Sequence, residues 1–504
     1  MQKDLLKTPL LGALLKSTWF WRICRLLLLA LFIVMIAYGW HHHAIPGVNV
    51  PDPLMYTNLA NYGLWVLWLM GVVLVALLFG RLWCSFCPLG WLNGLVAKIG
   101  LKWKLPDWLN NQFPVTFVLI ALQLAVYLLA IHRFPDYTAI LLSITLGLTI
   151  LCGLLFRQRA FCQLFCPAGA VFALYGRVAP FQLRIRQQSQ CDSCDSQRCV
   201  SGEHYWQRFG LGRGIFYWHS QRDECPVDLL PEQIDDSAGC TLCLHCMHNC
   251  EHDNLKLGFR PWLAELGKRG LSHSETLFFV VLLGMVTANF SKVNVPLREA
   301  LFWLPQQIAV LLGWQAPGYS LLAAIWVCLL LPLLLLLPGL LVFRLRNLSR
   351  SSQPAAADGE EPAPALPQRV QKDPFWSSLG QLVLPFIPLI LTAHLVLALV
   401  KLNTKGGYLP LVMQDPSGVQ SYLAIAVMKT LEQPTALLSL EVMKWLVLAL
   451  LLGGYLLSLL GARRVAGQLF ADGNRGFYFA ASLIGLSLTA GLYLDTVIRW
   501  LFLR

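Results

Sequence analysis

The sequence predicts an all-α polytopic membrane protein of about nine transmembrane helices, interrupted by a soluble cysteine-rich insert. Three observations carry this. The chain has 504 residues, 56% of them hydrophobic and only 13% charged, against roughly 25% charged in a soluble domain. Apolar runs long enough to cross a bilayer recur along both halves. The 15 cysteines concentrate in one polar stretch and one repeated motif. Together these exclude an ordinary cytosolic enzyme, a disordered chain and a secreted disulfide scaffold. The net charge of +12 has no aromatic–basic module beside it. It reads as the Lys and Arg excess of cytoplasmic loops, and nucleic acid is not an expected partner.

The apolar segments lie near 24–40, 62–80, 114–131, 138–156, 275–290, 319–343, 379–400, 437–461 and 476–497. Each approaches the roughly 20 residues that span a bilayer as a helix. Segments 301–313 and 419–431 are shorter and read as interfacial or re-entrant. Lys3, Lys7, Lys16, Arg22 and Arg25 precede or open the first span, and the loop 41–61 has no Lys or Arg. The N-terminus is therefore expected inside. Arg81, Lys98, Lys102 and Lys104, then Arg157 and Arg159, then Arg344, Arg346 and Arg350, then Arg463 and Arg464, mark the later inside loops. The stretch 157–274 is thus expected in the cytoplasm of a cell whose inner membrane holds the helices.

Five segments follow. Residues 1–190 form a four-helix membrane unit and 191–260 a soluble cytoplasmic insert. Residues 272–350 and 374–504 supply further membrane helices, where additional subunits have room to bind. Between them, 351–373 is rich in Pro, Ala and Glu without apolar periodicity and reads as a disordered linker.

In the insert, Cys240, Cys243, Cys246 and Cys250 have the C-x-x-C-x-x-C-x-x-x-C spacing of a bacterial ferredoxin loop, whose fourth cysteine serves the other cluster in two-cluster proteins. Cys191, Cys194 and Cys199 form a second set, and Cys225 is followed by Pro226. The expected pairing is crossed. Cys191, Cys194, Cys199 and Cys250 hold one [4Fe–4S] cluster; Cys225, Cys240, Cys243 and Cys246 hold another, making 191–260 a two-cluster ferredoxin-like domain. Two features depart from the pattern: Cys199 and Cys225 are far apart, and Glu251 rather than proline follows Cys250. Disulfides conflict with the cytoplasmic placement. Zinc is the other reading of four thiols. The neighbouring His245, His248 and His252 are expected at the surface, with the first two able to bond to sulfur.

The first membrane unit contains a duplication. Arg81-Leu82-Trp83-Cys84-Ser85-Phe86-Cys87-Pro88-Leu89-Gly90 follows the second span, and Arg159-Ala160-Phe161-Cys162-Gln163-Leu164-Phe165-Cys166-Pro167-Ala168-Gly169 follows the fourth. Both sit at the cytoplasmic membrane face by the topology above. Cys84, Cys87, Cys162 and Cys166 are candidates for a third cluster, for another metal, or for thiol–disulfide chemistry. Buried small hydrophobes are the plain alternative, and Cys24, Cys152 and Cys328 are expected to be packing residues.

These motifs, with the eight-cysteine insert, resemble the membrane-bound polyferredoxins that carry repeated Cys-x-x-x-Cys-Pro motifs, over about residues 20–260. That family includes quinol-oxidising subunits of periplasmic reductases and metalloenzyme maturation factors. The first motif here is one residue shorter, Cys84-x-x-Cys87-Pro. The resemblance implies membrane electron transfer between cytoplasmic [4Fe–4S] clusters and a quinone pool, or a membrane or periplasmic redox protein. A metal-handling or metal-reducing accessory role in assembling a respiratory metalloenzyme is the second reading. A redox-controlled transporter or sensor is the third. His41, His42 and His43, Asp52, His394 and Glu441 are the remaining polar candidates, the last two because ionisable groups within membrane spans are costly.

Overall fold

The computed structural model describes residues 4–50, 52–157, 159–208, 216–351, 374–470 and 472–502. The expected linker lies outside them from 352 to 373. Among the described residues eight helices are long and apolar enough to cross a membrane, and only two two-stranded sheets form. The protein is an all-α polytopic membrane protein. Its chain makes two compact units, Met1–Glu265 with His394–Met443, and Leu266–Ala393 with Lys444–Arg504.

In the first unit, α1 (Thr18–Gly39) begins before the hydropathy run does. Ser17 caps it, accepting from the Phe20 amide at 3.4 Å, because caps rather than apolarity set a helix start. Helix α2 (Leu59–Phe79) has a π-helical stretch at Tyr62–Trp68 and stops at Gly80, whose φ is 56°. A Cβ at Gly80 would stand 3.3 Å from Gly176 Cα, so the position serves both the turn and a close backbone approach. Helix α3 (Pro88–Val96) follows. Helix α4 (Phe113–Leu128) has 16 residues, about 24 Å of rise against a hydrocarbon core of about 30 Å. It is the expected span that falls short. Helices α5 (Pro135–Leu155) and α6 (Pro167–Gly176) complete this part.

The duplication appears as repeated local structure. After α2 the chain makes the short helix Trp83–Phe86 and then α3, which Pro88 opens. After α5 it makes Ala160–Leu164 and then α6, which Pro167 opens. Proline suits the first helical position because its missing N–H would have no partner there.

Strand β1 (Phe181–Ile185) leads into the insert, the ribbon β2 (Glu203–Arg208) and β3 (Phe216–Arg222) lies within it, and β4 (Leu255–Phe259) leaves it. β1 and β4 pair antiparallel, with Phe181 opposite Phe259 and Ile185 opposite Leu255. The two ends of the insert are thereby zipped together. The β2–β3 ribbon accounts for the long gap between Cys199 and Cys225. Phe181, Leu183, Leu255 and Leu257 pack with Leu242, Leu244 and Met247, and against Trp21 of α1.

Residues far along the chain finish this unit. The Leu59 amide donates to Pro416 O at 2.9 Å, Asn58 Nδ2 donates to Ser417 O at 3.0 Å, and Tyr62 OH donates to Lys405 O at 3.1 Å. Gly418 (φ 78°) sits so close to Thr57 that a Cβ would come within 2.5 Å of its carbonyl carbon.

The second unit begins with α7 (His273–Ser291), opened by a capping box. The Glu275 amide donates to Ser272 Oγ at 3.3 Å, and the Ser272 amide to Glu275 Oε2 at 2.8 Å. Helices α8 (Val295–Leu311) and α9 (Gly318–Phe343) follow. α10 (Phe386–Gln414) starts in this unit and passes into the first at His394. Helices α11 (Leu440–Leu469) and α12 (Gly473–Leu501) end the described spans. Segment 301–313 falls mostly within α8. Segment 419–431 forms the short helix Val419–Tyr422, a π turn at Leu423–Val427, and irregular chain. Within the unit, Thr287 Oγ1 and Tyr493 OH lie 2.8 Å apart in the core.

Candidate metal centres

Two neighbouring cavities gather the eight cysteines of the insert. Cys191, Cys194, Cys199 and Cys250 line one, with Gln190, Leu255 and His252. Cys225, Cys240, Cys243 and Cys246 line the other, with Leu183 and Leu244. Pro231 lines both, so a proline ring stands between them. The first set is half-buried; in the second, Cys225, Cys243 and Cys246 are buried. Among the described residues no three His, Cys, Asp or Glu side chains converge as a single metal ion would require. Each cavity is lined by four thiols, a donor set that suits an iron–sulfur cluster or a zinc ion.

Backbone and side-chain N–H groups aim at the sulfurs. Asn254 donates its amide to Cys250 Sγ at 3.4 Å and its Nδ2 to Cys191 Sγ at 3.3 Å. The Leu242 amide donates to Cys240 Sγ at 3.4 Å. Such bonds favour a charged sulfur and tune a cluster. Burial pushes the Cys240 thiol up to about 11 and the Cys246 thiol well above its usual value, each reinforced by Cys243. Without a bound metal these groups stay protonated; ligation would release the protons.

His245 and His248 are half-buried rather than at the surface. Their Nδ1 atoms bond Glu224 O at 3.1 Å and Leu244 O at 2.8 Å, so these nitrogens meet backbone and not sulfur. Burial lowers His245 to about 4, leaving it neutral near pH 7. His252 is exposed and lines the first cavity.

The loop before Cys240 is held from below by buried charge. The Glu265 carboxylate accepts from Arg184 and pairs with Arg260. It also accepts the Ser237 amide at 2.6 Å. Arg177 and Asp236 form a second buried pair at 3.6 Å.

The four repeat thiols also come together. Cys162 lies within Coulombic range of Cys166, Cys87 and Cys84. A Cβ on Gly90, the last residue of the first motif, would stand 3.4 Å from Cys162 Sγ of the second. Burial raises Cys87 and Cys162, and takes Cys166 up to about 12. The first motif touches the loop that carries Cys240 and Cys243. Arg81 Nη1 donates to Ala238 O and Ser85 Oγ to Leu242 O. Arg25 Nε of α1 donates to Ser85 O at 2.8 Å. These arginines and Ser85 were not singled out as site residues in the sequence. The recurrence of Arg three positions before the first cysteine of both motifs was the available signal.

The other candidates stand apart from the thiols. His43 Nδ1 meets Asp136 at 3.0 Å and its ring stacks on Phe134. Asp52 pairs with Arg133 at 3.7 Å. His394 Nδ1 is 3.1 Å from Tyr175 OH. Glu441 is exposed in the first turn of α11, at a helix end. Cys152 and Cys328 are buried in helices and Cys24 is half-buried.

A family model described as a 4Fe-4S binding domain matches residues 63–106 and 138–186. Those stretches hold both Cys-Pro motifs and lie outside the eight-cysteine insert. Over part of its length the chain is thus similar to 4Fe-4S and ferredoxin-type proteins. It is 26% identical over 254 residues to YccM of Escherichia coli, provisionally named an electron transport protein, with 44% of this chain and 63% of that one covered. The chain spans under two thirds of that relative. An uncharacterized protein of Methanocaldococcus jannaschii is 26% identical over 211 residues, covering 38% of this chain and 77% of the relative. The methylamine utilization ferredoxin-type protein MauN of Methylobacillus flagellatus is 25% identical over 146 residues, covering 25% and 52%. No solved structure gives a significant match.

Proposed function

We propose that the chain is an iron–sulfur electron-transfer protein of a bacterial inner membrane. Its insert faces the cytoplasm, and it passes electrons between that side and a quinone or a periplasmic redox partner. The observation that carries this reading is the succession of three thiol groups within one unit. The half-buried Cys191, Cys194, Cys199 and Cys250 stand beside Cys225, Cys240, Cys243 and Cys246, of which all but Cys240 are buried. The latter abut the repeat through Ala238 and Leu242. Each insert set would hold a [4Fe–4S] cluster, and Cys84, Cys87, Cys162 and Cys166 a third. Such clusters supply one-electron steps. The protein's own contribution is to space the ligands, to bury the second set and to aim N–H groups at sulfur. That the 4Fe-4S family model falls on the repeat favours a cluster there over a bare thiol pair. The topology rests on the Lys and Arg bias of the loops.

Anaerobic purification of the full chain in detergent, with iron and sulfide counts and low-temperature EPR, tests it. About twelve irons per chain, four to each [4Fe–4S] site, are expected. Substoichiometric iron with zinc in its place refutes the reading. Reduction by a quinol analogue tests the quinone end.

A further inference from the structure

The two motif arginines occupy equivalent positions in the duplication, and each lies between two thiol groups. Arg159 is buried at 6% exposure. It takes a left-handed backbone, φ 41°, which is costly for a residue with a Cβ. Its Nη1 donates to Cys84 O at 3.4 Å. The Cβ that Gly90 lacks would lie 3.8 Å from the guanidinium carbon and 3.4 Å from Cys162 Sγ, so glycine makes room where guanidinium and thiol approach. Arg159 is within Coulombic range of Cys84, Cys87 and Cys162 of the repeat, and of Cys243 of the insert. The Arg81 charge likewise acts on Cys166 of the repeat and Cys240 of the insert, and its Nη1 donates to Ala238 O of the loop before Cys240. Its Nε is buried without a hydrogen-bond partner.

Among the described residues neither arginine has a carboxylate within 4.0 Å. A guanidinium does not deprotonate in a protein, and a buried, unpaired charge is strongly unfavourable.

We infer that Arg81 and Arg159 are positioning residues that place fixed positive charge between the Cys225/Cys240/Cys243/Cys246 cluster and the group held by the repeat thiols, raising the reduction potentials of both. The half that concerns the repeat rests on the third-cluster reading above. An electron leaving one centre oxidises it as it reduces the other, and positive charge between them favours the reduced form of each. Such charge makes each centre easier to reduce.

The test is an EPR-monitored redox titration of the anaerobic full chain in detergent, with iron counted in every sample. The variants are R81Q, R159Q, R81K and R159K, with R22Q as control because Arg22 is exposed on α1. With iron at the wild-type level, R81Q and R159Q should each change the reduced-to-oxidised ratio of the buried insert cluster at least about tenfold toward oxidised, about 59 mV for one electron. R81K, R159K and R22Q should stay near wild type. Unchanged potentials in both glutamine variants overturn the inference, as does a lysine variant that shifts as far as its glutamine counterpart. If the glutamine variants lose iron, restoration by lysine supports the charge requirement, and its failure overturns it. Wild-type iron near eight would sink the third-cluster reading instead, while the arginine effect on the insert cluster is still read.

Discussion

Glu265→Gln should open the insert from beneath. The Glu265 carboxylate is 2% exposed and faces two guanidiniums, Arg260 at 2% and Arg184 at 16%. It also takes the Ser237 amide. Glutamine keeps the shape and removes the charge. Two arginines then share a buried site with no anion, and Ser237 loses a charged acceptor. Breaking one member out of a buried ion pair costs about 3–5 kcal/mol. At 1.4 kcal/mol per decade, transient opening of 235–242, the segment that carries Cys240, becomes on the order of a hundred- to several-thousand-fold more frequent. The assay is iron release from the purified chain to a colorimetric chelator, with the exposed Glu299→Gln of α8 as control. Release from E265Q should be faster by that order, and the cluster on Cys225, Cys240, Cys243 and Cys246 should go first. Release within about threefold of wild type would refute the argument that this ion network holds the loop.

Cys250→Ser should remove the EPR signal of the cluster on Cys191, Cys194 and Cys199 and spare that of Cys240, Cys243 and Cys246, while Cys225→Ser should do the reverse; the opposite pattern would mean an uncrossed ligand set. Asn254→Ala removes the Nδ2 donor to Cys191 and should move only that cluster's potential downward in a redox titration. Cys84→Ser and Cys166→Ser should each lower the iron count by about four with the insert spectra intact. Asp415 gives a pH dependence: burial acts to raise its carboxyl, but bonds from Ser417, Ser421 and Gly418 hold it below the usual value of 3.8. Its stabilising contribution is full above the unfolded value and lost as pH falls through the lower folded one. Protease nicking near 415–421 should rise below about pH 4 in the wild type, and in D415A at all pH values.

Much of the helical framework was legible because hydropathy over some twenty residues is a local property. The short C-x-x-C spacings of the insert were equally visible, and the thiols they hold line the two cavities. Helix starts were less so: Ser17 sets α1, and hydropathy does not register a cap. The shortness of α4 was hidden because 129–131 stays apolar while Ala130 turns left-handed (φ 50°). The partners of the site were hidden for a different reason. Ser85 meets Leu242 across 157 positions, and Arg25 meets Ser85 across 60. No period or spacing connects such pairs, so a duplicated arginine reads as punctuation until the fold shows what lies on either side of it. Asn254, four residues past Cys250 and in no repeated pattern, carried no signal at all.

The bonds that join 57–62 to 405–418 also bear on the order in which the protein is made. Asn58 and Ser417 are 359 positions apart. When the thiol-bearing part has left the ribosome, the start of α2 still lacks the carbonyls of Pro416 and Ser417. The first unit is therefore the first begun and nearly the last finished. A chain cut within 352–373 should bear all 15 cysteines and still be open at that end of α2. Co-expression of the missing piece, rather than more iron, should be what closes it.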